Sequence, residues 1–139
     1  MKAKLRVVFD TNIFISAVIF GGNPRQCLEL AREGKIRLFC SKSILLELAK
    51  KLKEKFLWED EDIKEVILGI SEFAQIVEPK IKIDIIKQDP PDNRILEAAL
   101  EAKVDYIISG DKKHLLSLKK FESIPIISAN EFLKMFYES

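Results

Sequence analysis

The sequence predicts an α/β fold with a parallel sheet covered on both faces. Two observations carry that prediction. Short apolar runs rich in β-branched or aromatic residues recur at residues 5–9, 36–40, 106–108 and 124–127, and near-continuous runs of this kind suit strands buried on both faces. Segments of helical period separate them, and strands alternating with helices favour parallel pairing through crossovers. The chain has 139 residues, 47% hydrophobic and 32% charged. That is the composition of a globular chain, and residues 1–139 are expected to form a single domain with its own core.

The first run ends on Asp10-Thr11-Asn12, whose side chains suit a helix N-cap, so a first helix is expected over 13–20. Gly21-Gly22-Asn23-Pro24 breaks it. Pro24 suits the first turn of the next helix and Gly34 its C-terminal stop. After the strand at 36–40, Ser41 or Ser43 caps a helix reaching to about Phe56, with Ile44, Leu45, Leu48, Leu52 and Phe56 on one face. The acids Glu59, Asp60, Glu61 and Asp62 favour another helix start, continued by Val66, Ile67, Ile70 and Phe73.

Alternation over 81–85 suggests a short, half-exposed strand. Asp89-Pro90-Pro91-Asp92-Asn93 is a rigid loop ending in a cap, and Ile95, Leu96, Ala99 and Leu100 form the next buried stripe. Ser109-Gly110-Asp111 closes the strand at 106–108, and a short helix is expected near 115–121. Ser128-Ala129-Asn130-Glu131 fits a capping box for a terminal helix after the last strand.

A net charge of +1 gives no global attraction to polyanions, so any such binding needs local patches. Cys27 and Cys40 form no CxxC pair and are expected to be buried, reduced thiols. Asp10 and Asn12 interrupt the N-terminal apolar stretch, and no small-residue cleavage site follows it. No uninterrupted apolar run reaches the roughly 18 residues of a membrane span. The expected location is cytoplasmic, with no membrane partner.

In parallel α/β sheets, ligands bind beyond the carboxyl ends of the strands. Asp10 and Asp111 directly follow strands there, and Asp92 opens a helix near the same edge. Closely spaced carboxylates do not all stay ionised without a compensating cation. Hard divalent cations, Mg²⁺ or Mn²⁺, prefer such oxygen donors and support phosphodiester hydrolysis. With His114 the sole histidine and no cysteine cluster, a zinc site is disfavoured.

The stretches "VVFDTNIF", "SKSILLELAKKL", "DPPDNRILEAALEAKVDYIISGD" and "IPIISANEFL" resemble the PIN domain family, in that family's order and over nearly the whole chain. PIN domains are the ribonuclease fold of many VapC-type toxins. The resemblance implies a three-layer α/β/α sandwich with four or five parallel strands. It implies a metal-dependent endoribonuclease using one or two Mg²⁺ or Mn²⁺ ions. Carried over by position, Asp10, Glu47, Asp92 and Asp111 become the catalytic, metal-holding acids, with Thr11, Asn12, Asn93 and Ser109 supporting them. RNA is the implied substrate. A small antitoxin protein and a homodimer are the implied partners, with the apolar faces of 13–20 and 63–77 available to them. One departure stands out: many members carry a further acid at the position of Lys113. The alternative is a catalytically weak or inactive PIN-fold module that binds nucleic acid or a partner. A haloacid-dehalogenase-type phosphatase would need a second aspartate where Asn12 stands.

Plainer readings compete at each position. Asp10 also serves as a helix cap. Glu47 lies beside the apolar stripe and four residues before Lys51, as in an ordinary surface ion pair. Asp89 competes with Asp92, and Asn93 either assists the site or completes the cap. His114 is a weak general-base candidate. Lys50, Lys51, Lys53 and Lys55 either track a phosphate backbone or form a solvated face. Arg94, Lys112 and Lys113 border the proposed site and are the RNA-contact candidates. Phe56 and Trp58 are either a partner surface or a local cluster.

Overall fold

The structure is a computed structural model, described over residues 3–84, 90–110 and 115–138. Its strands are β1 (Arg6–Phe9), β2 (Arg37–Ser41), β3 (Gln75–Val77), β4 (Tyr106–Ile108), β5 (Lys120–Phe121) and β6 (Ile124–Ile127). They form one sheet in the order β3-β2-β1-β4-β6-β5. All neighbours pair in parallel except β5, which lies antiparallel to β6 at the edge. The expected parallel sheet of four or five strands is thus present, with one short antiparallel strand added.

Helices α1 (Thr11–Ile15), α2 (Gly22–Arg32), α3 (Lys42–Glu54), α4 (Asp60–Phe73), α5 (Pro90–Ala102), α6 (Leu115–Leu118) and α7 (Ala129–Glu138) connect and cover it. The step from β1 to β2 and the return from β3 to β4 cross the sheet in opposite directions. Right-handed crossovers therefore put α2 and α5 on opposite faces, and α7 packs beside α2. The central strands are buried as their apolar runs require: Val7, Val8, Phe9, Ile107 and Ile108 have no exposed surface. None of the helices in the described residues is long and apolar enough to cross a membrane.

Several local expectations hold. Gly34, at φ 75°, ends α2 with backbone bonds from Gly34 N to Ala31 O and from Lys35 N to Leu30 O, the turn a left-handed glycine allows. Ser41 caps α3, its Oγ accepting from Ile44 N at 3.3 Å. Ser128 and Glu131 form the capping box of α7.

Four local expectations are corrected. The helix expected over 13–20 is α1 followed by a π-helical turn, Ser16–Phe20, closed by Gly21 N on Ser16 O at 2.8 Å. Arg25 caps that turn, its guanidinium donating to the carbonyls of Ala17 and Val18. Residues 81–84 are not a strand; the strand beside β2 is Gln75–Val77. The reason is that side chains take the Ile83 backbone groups: Ile83 N donates to Glu97 and Ile83 O accepts from Arg94. Helix α6 stops at Leu118, because Lys120 and Phe121 pair with Pro125 and Ile124 across a turn. Glu122 and Ser123 supply the positive φ angles, 49° and 66°, that a tight hairpin turn needs. Finally, α5 begins at Pro90, so Asp92 sits in its first turn and not at its cap.

Candidate active site at the carboxyl edge of the sheet

Asp10 follows β1 directly and caps α1. Its Oδ1 accepts from Ile13 N at 2.8 Å, and its Oδ2 accepts from the Ser109 hydroxyl at 2.5 Å. Its own N–H donates to Ile108 O at 3.0 Å. The carboxylate is therefore both a cap and part of a cross-strand link. Asp10 is 2% exposed and Ser109 is fully buried. A buried carboxylate needs such donors to offset the water it loses.

The position of this pair matters. β1 hands the chain to β2 on one side, and β4 hands it to β6 on the other. Asp10 and Ser109 follow these two adjacent strands, so they bridge the topological switch point, where open α/β sheets form their ligand crevice. Val8 is level with Phe39, Phe9 with Ile108, and Ile108 with Ile127. Extending those registers places Ser41, Asp10, Ser109 and Ser128 in one row across the carboxyl edge. Thr11 is buried beside Asp10.

Two other candidate acids lie on helices that start at this edge. α3 starts there because Ser41 ends β2 and caps it. Glu47 is half-buried on α3, one turn before Lys51. Lys51 does not pair with it: the Lys51 Nζ lies 3.4 Å from Asn12 Oδ1, at the start of α1. The ordinary ion pair offered by spacing is therefore not formed, and the Glu47–Lys51 side of α3 turns toward α1. α5 ends at the opposite edge, where Arg6 donates to Ala102 O at 2.7 Å. Its first turn, with half-buried Asp92 and buried Asn93, consequently lies at the carboxyl edge.

Asp111, Lys112, Lys113, His114 and Asp89 lie outside the described residues. Among the described residues, no three acids, histidines or cysteines gather closely enough to hold a metal. Arg94, an RNA-contact candidate, is partly buried and engaged inward. Its guanidinium lies 2.9 Å from Glu97 and donates to Ile83 O at 2.9 Å. Glu97 was not singled out in the sequence. It is 8% exposed, and its signal was a charged residue inside the apolar run of α5.

The decisive comparison follows from this arrangement: a family model described as PIN domain matches residues 6–113. The chain belongs to the PIN domain family. PIN domains are in general nucleases. The chain is 38% identical over 124 residues to the uncharacterized protein MJ1680 of Methanocaldococcus jannaschii, covering 85% of this chain and 77% of that one. A solved structure of VapBC2 from Rickettsia felis, bound to a DNA fragment from their promoter, superposes with a TM-score of 0.62. That match covers 88% of this chain and 97% of the other at 14% identity, and so shows a shared fold. The PIN assignment explains why the acid-bearing elements start at one edge: the fold returns each to the same side of the sheet.

Proposed function

We propose that this PIN domain is a metal-dependent endoribonuclease working at the Asp10–Ser109 edge, with Asp10, Glu47, Asp92 and Asp111 as its acids. The observation that carries the reading is the buried Asp10 carboxylate, fixed by Ile13 N and Ser109 Oγ across the switch point. The donor chemistry fits a hard divalent cation, Mg²⁺ or Mn²⁺, because the candidates offer oxygen alone. A carboxylate presents about four lone-pair sites, so one fixed by hydrogen bonds can still ligate. When bound, such an ion supplies positive charge that polarises a phosphate oxygen and acidifies water.

The chain's own residues do the rest. Ser109 and the Ile13 N–H hold Asp10 in one orientation. Lys51 on α3 reaches Asn12 at the start of α1, so the helix that carries Glu47 contacts the helix that Asp10 caps. The Arg94–Glu97 pair ties α5, which carries Asp92, to the backbone of Ile83. Lys112 and Lys113 remain candidates for contact with the RNA backbone. A toxin role with a small antitoxin partner is supported by the VapBC2 likeness.

The test is cleavage of a labelled RNA by the protein with Mn²⁺, with excess EDTA, and as Asp10→Asn. Cleavage that needs the metal and drops by two orders of magnitude or more in the variant is expected; full activity in EDTA or in Asp10→Asn overturns the reading. The second reading, a PIN-fold binding module, rests on Lys113, which stands where many members carry a further acid. It requires RNA or partner affinity with no Mn²⁺ uptake in a calorimetric titration.

A further inference from the structure

The lysines of α3 are not equivalent in the structure. Lys50, Lys53 and Lys55 are exposed, and Lys53 is ion-paired with Asp60 at 3.0 Å. Lys51 is half-buried, and α3 packs against α1. Its Nζ lies 3.4 Å from Asn12 Oδ1. The side chain therefore crosses from one helix to the other at the start of α1, close in sequence to Asp10.

The acceptor is unexpected. A glutamate four residues before a lysine is the favoured order for an ion pair within a helix, and Glu47 holds that position. Lys51 nevertheless forms no ion pair with an acid among the described residues. It meets a neutral amide oxygen instead, at a distance beyond the usual range of a good hydrogen bond. An ammonium has three donors, and one long bond to a neutral atom does not compensate its charge.

The setting of that charge suits an anion. The candidate acids at this edge are all negative, and negative groups alone repel a phosphodiester. Arg94 does not supply the missing cation, because its guanidinium is engaged with Glu97 and Ile83 O. Lys51 borders the edge from the side of α3. Its contact with Asn12 is readily exchanged, because a phosphate oxygen is charged and makes a shorter, stronger bond than a neutral amide. The apolar stem can stay against the helices while Nζ moves.

We propose that Lys51 is a substrate-binding residue. Its ammonium exchanges Asn12 Oδ1 for a non-bridging oxygen of an RNA phosphodiester and seats that phosphate beside Asp10. Lys51 keeps its proton and forms no covalent bond. This deepens the proposed function, since it rests on RNA as the substrate of the Asp10–Ser109 edge.

The test separates binding from cleavage. Binding of a labelled single-stranded RNA is followed by fluorescence anisotropy in excess EDTA, with every protein carrying Asp10→Asn so that the strand stays whole. In that background Lys51→Met keeps an apolar stem and removes the charge. It is expected to weaken binding roughly tenfold, the effect of one hydrogen bond to a charged group. The slope of log affinity against log salt is expected to fall by about 0.7, the share of one phosphate on a single strand. Lys50→Met removes an exposed lysine of the same helix and is expected to change affinity by less than about twofold, because its charge is screened. An uncharged methylphosphonate linkage, moved along the strand, should weaken binding at one position, and that loss should vanish in Lys51→Met. Lys51→Met should melt with its parent, since the bond it removes is long and exposed. Unchanged affinity in Lys51→Met, an equal loss in Lys50→Met, or a methylphosphonate profile that Lys51→Met leaves unaltered overturns the proposal. Cleavage with Mn²⁺ by the protein that retains Asp10 is read separately. Its absence overturns the nuclease reading, while the titration still decides the role of Lys51.

Discussion

Ser109 donates its hydroxyl to Asp10 across 99 residues of sequence, joining the ends of two adjacent parallel strands at the point where the sheet's connections diverge. Both residues are buried, so their bond replaces one that water would otherwise supply. Ser109→Ala removes the hydroxyl that donates to Oδ2. The expected loss is about 1–3 kcal/mol of unfolding free energy, measured by urea denaturation. Asp10→Asn should cost less, because asparagine caps a helix about as well as aspartate and its amide can donate to the same hydroxyl. The pair thus separates stability from chemistry: Asp10→Asn is the variant that keeps the fold while removing the charge. A Ser109→Ala protein as stable as the parent would show that the bond contributes nothing net.

The Arg94–Glu97 pair holds the Ile83 backbone at both polar groups. Truncating Glu97 to alanine removes the acceptor of the Ile83 N–H and leaves Arg94 less compensated in a partly buried setting. Glu97→Ala should cost about 1–3 kcal/mol. The local sign is faster amide hydrogen exchange at Ile83, by roughly tenfold for each 1.4 kcal/mol of lost protection. Exchange at Ile83 unchanged in the variant would mean that burial of its side chain, not Glu97, fixes the segment.

Much of this architecture was legible because the core strands are short, uniformly apolar and bounded by glycine, serine or aspartate. β1, β2, β4 and β6 fall where the runs at 5–9, 36–40, 106–108 and 124–127 placed them. The Ser128–Glu131 box and the Gly34 stop were legible for the same reason, since each is local chemistry. What failed was non-local. Ile81 and Ile83 alternate with polar residues, yet Ile81 is 61% exposed and Ile83 is buried, because Glu97 and Arg94 bind the backbone that a neighbouring strand would have paired. The β5–β6 turn was hidden because Glu122 and Ser123 are unusual residues for positive φ. At the site, the strand-end position of Asp10 was readable and the family resemblance implied a supporting role for Ser109, but which acid Ser109 meets depends on the register between β1 and β4.

Glu47 offers a cleaner test than its neighbours. It is half-buried, and no hydrogen bond or ion pair ties it to another described residue; Lys51 reaches Asn12 in its place. Glu47→Gln should therefore change stability by no more than about 0.5 kcal/mol. Under the proposed nuclease reading, the same substitution should lower RNA cleavage by an order of magnitude or more. Stability and activity measured on one preparation decide it. Unchanged cleavage would remove Glu47 from the site and leave three acids.

The two thiols give a prediction that depends on pH. Burial pushes Cys27 and Cys40 up to about 12, from an ordinary value of 9.0. For Cys40, a backbone hydrogen bond with Ser41 is the smaller, opposing influence. The thiolate is the reactive form, so neither cysteine should react with iodoacetamide at pH 8 while the protein is folded, and both should react once urea unfolds it. The sign for stability follows from linkage. Each native thiol keeps its proton to higher pH than the unfolded one, so the unfolded chain binds fewer protons between pH 9 and 12. Stability is then fully present below pH 9 and falls as pH rises toward 12. Cys27→Ser and Cys40→Ser each put a hydroxyl where the surroundings are apolar, and should lower stability while removing one thiol's share of that decline. Rapid labelling of either cysteine in the folded protein at pH 8 would mean that the strand and helix around it open far more often than their burial implies.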